Sequence, residues 1–240
     1  MPTPPTRGPR KGKVAEILKQ FSVSPPRATQ EAIPKNFTPS KNFTKRGDYP
    51  LYVHIATAFV EEKNPGIEFD IANGYYIDSE REAHVYFPQT HHGLDIANAA
   101  ADVAVRPESN KVDFASNNFY RGELPEDRPL DRMDFSSPLE ALGSLIALLQ
   151  LSLYTDTAYA EPVPGQTQNF IIRGIRGLHK RAQGARVKLV YFVHDGQIFL
   201  TWGVDLHLWR DYFSAYVDAR SPSHIITAWS NRLDFAASDA

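Results

Sequence analysis

From Tyr49 onward the apolar and polar positions recur with periods that assign an element to each stretch. Tyr52–Val60 (YVHIATAFV) alternates like a strand and then crowds its apolar residues, so a strand running into a helix is expected. Gly66–Ile77 (GIEFDIANGYYI) alternates around Asn73-Gly74, a hairpin signal, and Glu82–Pro88 (EAHVYFP) reads as another strand. Leu94–Val105 (LDIANAAADVAV) is rich in small residues and is expected as a helix, and Phe114–Gly122 is rich in turn formers. Leu139–Leu153 is a long apolar helix that opens on Ser137 as N-cap and Pro138 at the first helical position.

The stretch 169–193 (NFIIRGIRGLHKRAQGARVKLVYFV) carries apolar and small residues at Ile171, Ile172, Ile175, Gly177, Leu178, Ala182 and Ala185, which predicts a helix, followed by a buried strand at Val187–Val193. On that helix Gln183 and Arg186, three residues apart, share a face. Asp195-Gly196 marks a hairpin between two strands, Leu206–Ala219 is expected as a helix, and His224–Phe235 as a last short helix. Strands early and helices in the middle predict an α+β fold.

Residues 1–47 differ in character, with ten Lys or Arg against two acids and several prolines. They read as a basic, proline-rich flexible leader with a short helix at Val14–Phe21, ahead of a single domain over 48–240. The leader has no apolar core of a secretory signal, so a cytoplasmic protein, or one released by another route, is expected. The two KNFT sequons, at Asn36 and Asn42, are accordingly read as incidental. A net charge of -2 gives no general attraction to nucleic acid, and the absence of cysteine excludes disulfides and thiolate chemistry. No transmembrane segment is expected. The eight histidines include no H-x-x-x-H pair, so no metal site is expected, and no glycine-rich phosphate loop or nucleophile elbow occurs.

Four short pieces in order resemble the ribosome-inactivating proteins, the family of the ricin A chain and Shiga toxin A subunit: Asp70–Tyr75 (DIANGY), Phe114–Tyr120 (FASNNFY), Ala182–Val190 (AQGARVKLV) and Ile226–Leu233 (ITAWSNRL). The resemblance implies that family's fold, an N-terminal mixed sheet followed by a helical core, a β-hairpin and terminal helices. It implies an rRNA N-glycosylase that removes the sarcin–ricin loop adenine from large-subunit rRNA of cytosolic ribosomes, acting as a monomer without cofactor and releasing adenine. Tyr75 and Tyr120, with Asn73, would bind the adenine between aromatic faces. Arg186 would donate to the departing base, and Trp229 would back the pocket. Gln183 stands where the family has its catalytic glutamate, so weak or lost activity is implied. A catalytically silent ribosome- or adenine-binding module of the same fold is the alternative, and an ADP-ribosyltransferase-like toxin a further one.

Overall fold

The computed structural model describes residues 11–21, 29–30, 48–72, 74–179, 182–209 and 211–232. The elements in chain order are α1 (Lys11–Lys19), β1 (Thr29–Gln30), α2 (Leu51–Lys63), β2 (Tyr76–Ile77), β3 (Ala83–His91), β4 (Leu94–Arg106), β5 (Lys111–Asn117), α3 (Pro129–Arg132), α4 (Pro138–Leu148), β6 (Tyr159–Pro162), β7 (Asn169–Arg173), β8 (Gly184–His194), β9 (Gln197–His207), β10 (Asp211–Asp218) and β11 (Ile225–Arg232). The chain divides into two compact units: Pro25–Leu124 with Asp195–Gln197, and Met1–Ser24 with Pro125–His194 and Ile198–Ala240. The 47/48 boundary, the bulk of the basic leader and both sequons lie outside the described residues, except that α1 covers most of the expected N-terminal helix.

In the first of these units α2 packs on an antiparallel sheet. Val53, Ile55, Ala56, Phe59 and Val60 of the helix meet Val85 and Phe87 of β3, Ala101, Val103 and Val105 of β4, and Val112 and Ala115 of β5. The buried positions 53, 56, 57 and 60 recur at the spacing of one helical face. Thr57, β-branched and polar, is accommodated because its hydroxyl donates to the Val53 carbonyl one turn back, at 2.8 Å. Residues 52–60 are therefore helix throughout, where the alternation predicted a strand at their start.

The opposite correction applies to β4. Its alanines favour a helix when isolated, yet it is a strand hydrogen-bonded along both sides, with Val85↔Val103 and Phe87↔Ala101 toward β3 and Val103↔Ala115 toward β5. Residues 99, 101 and 103 turn to the core while Ala100 and Asp102 lie on the other face, the period of two. Pairing on both edges, a long-range gain, outweighs local helix propensity. The described residues of 66–77 form the short β2 and an isolated bridge from Phe69 to Gln89.

The second unit is built on an antiparallel run, β8-β9-β10-β11, with β7 along the other edge of β8 and β6 beyond it. Its core holds Val187, Leu189, Trp202, Val204, Leu206, Phe213, Ala215 and Val217 with Ala141, Leu142 and Leu145 of α4. Helix α4 begins where the sequence signals it. Ser137 accepts from the Glu140 amide at 3.3 Å and the Glu140 carboxylate accepts from the Ser137 amide at 2.7 Å, a closed capping box.

Among the described residues of 169–185 the expected helix is absent. β7 occupies 169–173, and Gly174 and Gly177 follow with φ of 73° and 89°. A Cβ on Gly174 would stand 2.4 Å from the Thr157 carbonyl oxygen, and one on Gly177 2.5 Å from that of Ser152. Both positions need a left-handed backbone and a close backbone neighbour, which glycine alone provides cheaply. Likewise the described residues of 206–219 are mostly the end of β9 and β10 (Asp211–Asp218), and the expected last helix is β11 (Ile225–Arg232) with 233–235 outside the described residues, the strands paired with their neighbours. The described chain is thus mostly antiparallel sheet with few helices, so the α+β expectation with a helical core is overturned.

Candidate functional site

The sheet face of the first unit that turns away from α2 gathers polar residues. Residues 78–82 form a tight turn before β3, closed by the Asp78 amide on the Glu82 carbonyl at 3.0 Å. One Asp78 carboxylate oxygen accepts from the Glu80 and Glu82 amides, each at 2.9 Å. The other lies 3.2 Å from Nε2 of His84, the second residue of β3. These contacts, the Glu82 amide first, hold the Asp78 carboxyl below its ordinary range.

On the far side of the ring, Nδ1 of His84 is 3.7 Å from Oδ1 of Asp102 in β4. Register produces that meeting, since His84 pairs with Ala104 and Asp102 lies one same-face step away, opposite Tyr86. Burial raises the Asp102 carboxyl, against the opposing pull of His84. The ring of Tyr76 stacks on His84 with centroids 5.1 Å apart, and its hydroxyl is 3.5 Å from that of Tyr86. The contact with Tyr76, together with burial, pushes the Tyr86 phenol up to about 12. Glu82 points toward the same place and accepts from Arg106 at 3.2 Å, which also holds Asp113 at 2.9 Å. The metal-capable atoms of Asp78, Glu82 and His84 lie within 4.8 Å of one another. The spacing D-x-x-x-E-x-H was visible in the sequence; without the turn that folds 78–82 back on itself, its residues had no reason to converge.

The residues singled out from the sequence lie elsewhere, in two different units. In the unit containing β2–β5, Tyr75 is half-buried and meets Tyr49 and Tyr52 edge-on at 6.2 and 5.8 Å. Tyr120 follows β5 and is held through its backbone. Gln89, 2 % exposed, accepts from the Tyr120 amide at 2.6 Å and donates to its carbonyl at 2.9 Å. Asn73 lies outside the described residues. In the unit containing β6–β11, Gln183 is exposed just before β8, and Arg186 is exposed on β8 opposite Ile171. No helix places them on one face. Trp229 sits on β11 rather than a helix, 37 % exposed, with its ring 5.8 Å from Tyr216.

No family model matches the chain. An extracellular metalloproteinase MEP of Pyricularia oryzae is 35 % identical over 208 residues, 87 % of this chain and 31 % of that protein. Extracellular metalloproteinase 9 of Uncinocarpus reesii is 37 % identical over 175 residues, 72 % of this chain and 27 % of that protein. Extracellular metalloproteinase 2 of Trichophyton tonsurans is 32 % identical over 199 residues, 83 % of this chain and 30 % of that protein. The C-terminal domain of Bacillus megaterium YpeB superposes on 95 % of the chain at 9 % identity and a TM-score of 0.35, too low to establish a common fold. The chain therefore spans about three tenths of the length of the curated relatives it matches.

These relatives overturn the resemblance to ribosome-inactivating proteins. The implied rRNA N-glycosylase activity, its silent adenine-binding variant and the ADP-ribosyltransferase alternative go with it, as do the ribosomal RNA partner and the adenine product. The four short pieces that suggested the family were each a few common residues, whereas the similarity to the metalloproteinases runs through most of the chain. The cytoplasmic expectation is overturned as well, because the relatives are extracellular. No described helix is long and apolar enough to cross a membrane. What the comparisons establish is that this chain is similar, through most of its length, to one part of fungal extracellular metalloproteinases.

Proposed function

We propose that this chain is the non-catalytic companion region of an extracellular metalloproteinase, one that binds the catalytic region and governs its folding or its activity rather than cutting peptides itself. The observation that carries the reading is the mismatch of coverage: 87 % of this chain aligns with only 31 % of a metalloproteinase. Its 240 residues contain no H-E-x-x-H and no two histidines four apart, the helix pair that supplies zinc ligands and general base in many metalloproteases. A secreted protease is commonly restrained until release, and removal of a covering segment is a recognised switch. Exposed aromatic residues suit such contacts, since tyrosine and tryptophan are enriched where interfaces gain their energy. Tyr154, Tyr159 and Trp229 are exposed in one unit and Tyr76 in the other.

The test mixes the full chain with the catalytic region of one of the matched relatives, lacking its own counterpart of this chain. The chain alone, with excess zinc, should hydrolyse no peptide. In the mixture it should lower peptide hydrolysis at stoichiometric ratio or raise the yield of active enzyme on refolding. Hydrolysis by the chain alone would make it a peptidase in its own right and overturn the reading. So would a mixture whose activity and refolding yield match those of the catalytic region alone.

A further inference from the structure

We propose that Asp78, Glu82 and His84 form a binding site for a divalent transition-metal ion of the zinc class, with Asp102 orienting His84 from behind. The site does not depend on the companion-region reading.

Three observations meet here. The first is the donor set: one imidazole nitrogen and two carboxylates converge within 4.8 Å. That is a three-ligand nitrogen–oxygen set of the kind that holds zinc and leaves further positions open. The second is the charge. Arg106 pairs with Glu82 and Asp113 while His84 lies between Asp78 and Asp102, so four carboxylates share one guanidinium and one imidazole, and a divalent ion would offset the excess of negative charge.

The third is independent of ligand count and concerns the back of the ring. Nδ1 of His84 and Oδ1 of Asp102 are both buried and have no hydrogen-bond partner among the described residues, although they face each other at 3.7 Å. Buried polar atoms are rarely left so. The arrangement has a simple cause if the proton of a neutral imidazole sits on Nε2 and points to Asp78. Nδ1 then presents a lone pair to an oxygen lone pair, and the two cannot bond. A cation bound at Nε2 requires the lone pair there and moves the proton to Nδ1, where it points at Asp102. That change of tautomer, with the two groups drawn in from 3.7 Å to hydrogen-bond distance, satisfies both orphaned atoms. Metal-bound histidines nearly always donate their second N–H to a carboxylate or carbonyl in this way.

The rest of the site is arranged to permit this. The free oxygen of Asp78 is aimed at Nε2 because its other oxygen is fixed by two backbone amides. Arg106 holds one Glu82 oxygen, Oε1, leaving the second for a metal. Imidazole in the set favours zinc, and its neighbours in the first transition row, over calcium and magnesium.

The test uses the full chain freed of metal with a chelator, and zinc chloride as the probe. Calorimetry should show one saturable site. In long-range proton–nitrogen spectra of the 15N-labelled chain, zinc should shift Nε2 of His84 and leave its Nδ1 protonated. His84→Gln should abolish the saturable site. Asp102→Asn should weaken it by about 10- to 100-fold, the usual cost of losing such a supporting carboxylate. The zinc-free melting curve of each variant reports whether it folds, and the spectra of the unaltered chain test the site without any variant. Equal zinc affinity in folded His84→Gln, zinc-induced shifts confined to His91 and His92, no saturable binding by the unaltered chain, or tighter binding of calcium than of zinc would each overturn the proposal.

Discussion

The ring of Tyr216 on β10 lies across Gly203 on β9, its partner in the strand register, so closely that a Cβ at position 203 would stand 3.2 Å from Cε1 of the ring. The ring has nowhere to retreat. Phe192 stacks on it at 4.0 Å and 19°, and Trp229 approaches at 5.8 Å. Burial of this tyrosine pushes its phenol up to about 12. Gly203→Val is expected to destabilise the protein by about 1–3 kcal/mol, the usual range for overpacking. Urea denaturation checks it, and Gly203→Val combined with Tyr216→Leu should recover part of the loss.

Trp202 is fully buried and donates its indole N–H to the Ser136 carbonyl, 3.0 Å away, just ahead of α4. Phe135 and Phe170 pack against the ring edge-on at 5.8 and 6.0 Å. Trp202→Phe keeps an aromatic ring but leaves that carbonyl without its donor. The expected loss is about 1–3 kcal/mol from the unsatisfied group, with a further contribution from the smaller ring. Thermal denaturation followed by circular dichroism measures it.

Gln89 clamps the Tyr120 backbone with both ends of its amide, at 2.6 and 2.9 Å. Gln89→Leu would strip two backbone groups of their partners at once, and each buried orphan costs about 1–3 kcal/mol. Gln89→Glu should be nearly as damaging, because its second oxygen would face the Tyr120 carbonyl with no hydrogen to offer. If Gln89→Glu melts with the unaltered protein, the clamp contributes little.

The capping box of α4 gives a pH dependence of known sign. The Ser137 amide, and then its hydroxyl, hold the Glu140 carboxyl below its ordinary value of 4.5. A group depressed in the folded state contributes stability that is complete above its unfolded value and is lost as pH falls through the folded one. The melting-temperature gap between the unaltered protein and Glu140→Gln should therefore be constant above about pH 5 and shrink as pH drops below 4.5. A gap that widens on acidification would contradict it.

Ser137→Ala removes the other half of the box and should cost about 1 kcal/mol at neutral pH. The same melting experiment reads it directly.

The sequence alone determined the features whose causes are local. The start of α4 follows from Ser137, Pro138 and Glu140 within four residues, and the β8–β9 turn from Asp195-Gly196, both at positive φ as a two-residue hairpin requires. The strand at 82–88 showed its period of two and is part of β3. Tertiary structure decided the rest. The alanines of β4, and the apolar residues of 169–173, 211–218 and 225–232, satisfy a helical pattern as readily as a strand pattern. Neighbouring strands chose between them by supplying hydrogen bonds along whole edges. Conversely, the alternation at 52–60 yielded to a helix because that segment packs one face on a sheet and has no strand beside it. The polar cluster was equally hidden. Asp78, Glu82 and His84 are near neighbours in sequence, but only a folded turn makes them converge. Asp102 joins them through the register of β3 on β4, a relation that no spacing along the chain encodes.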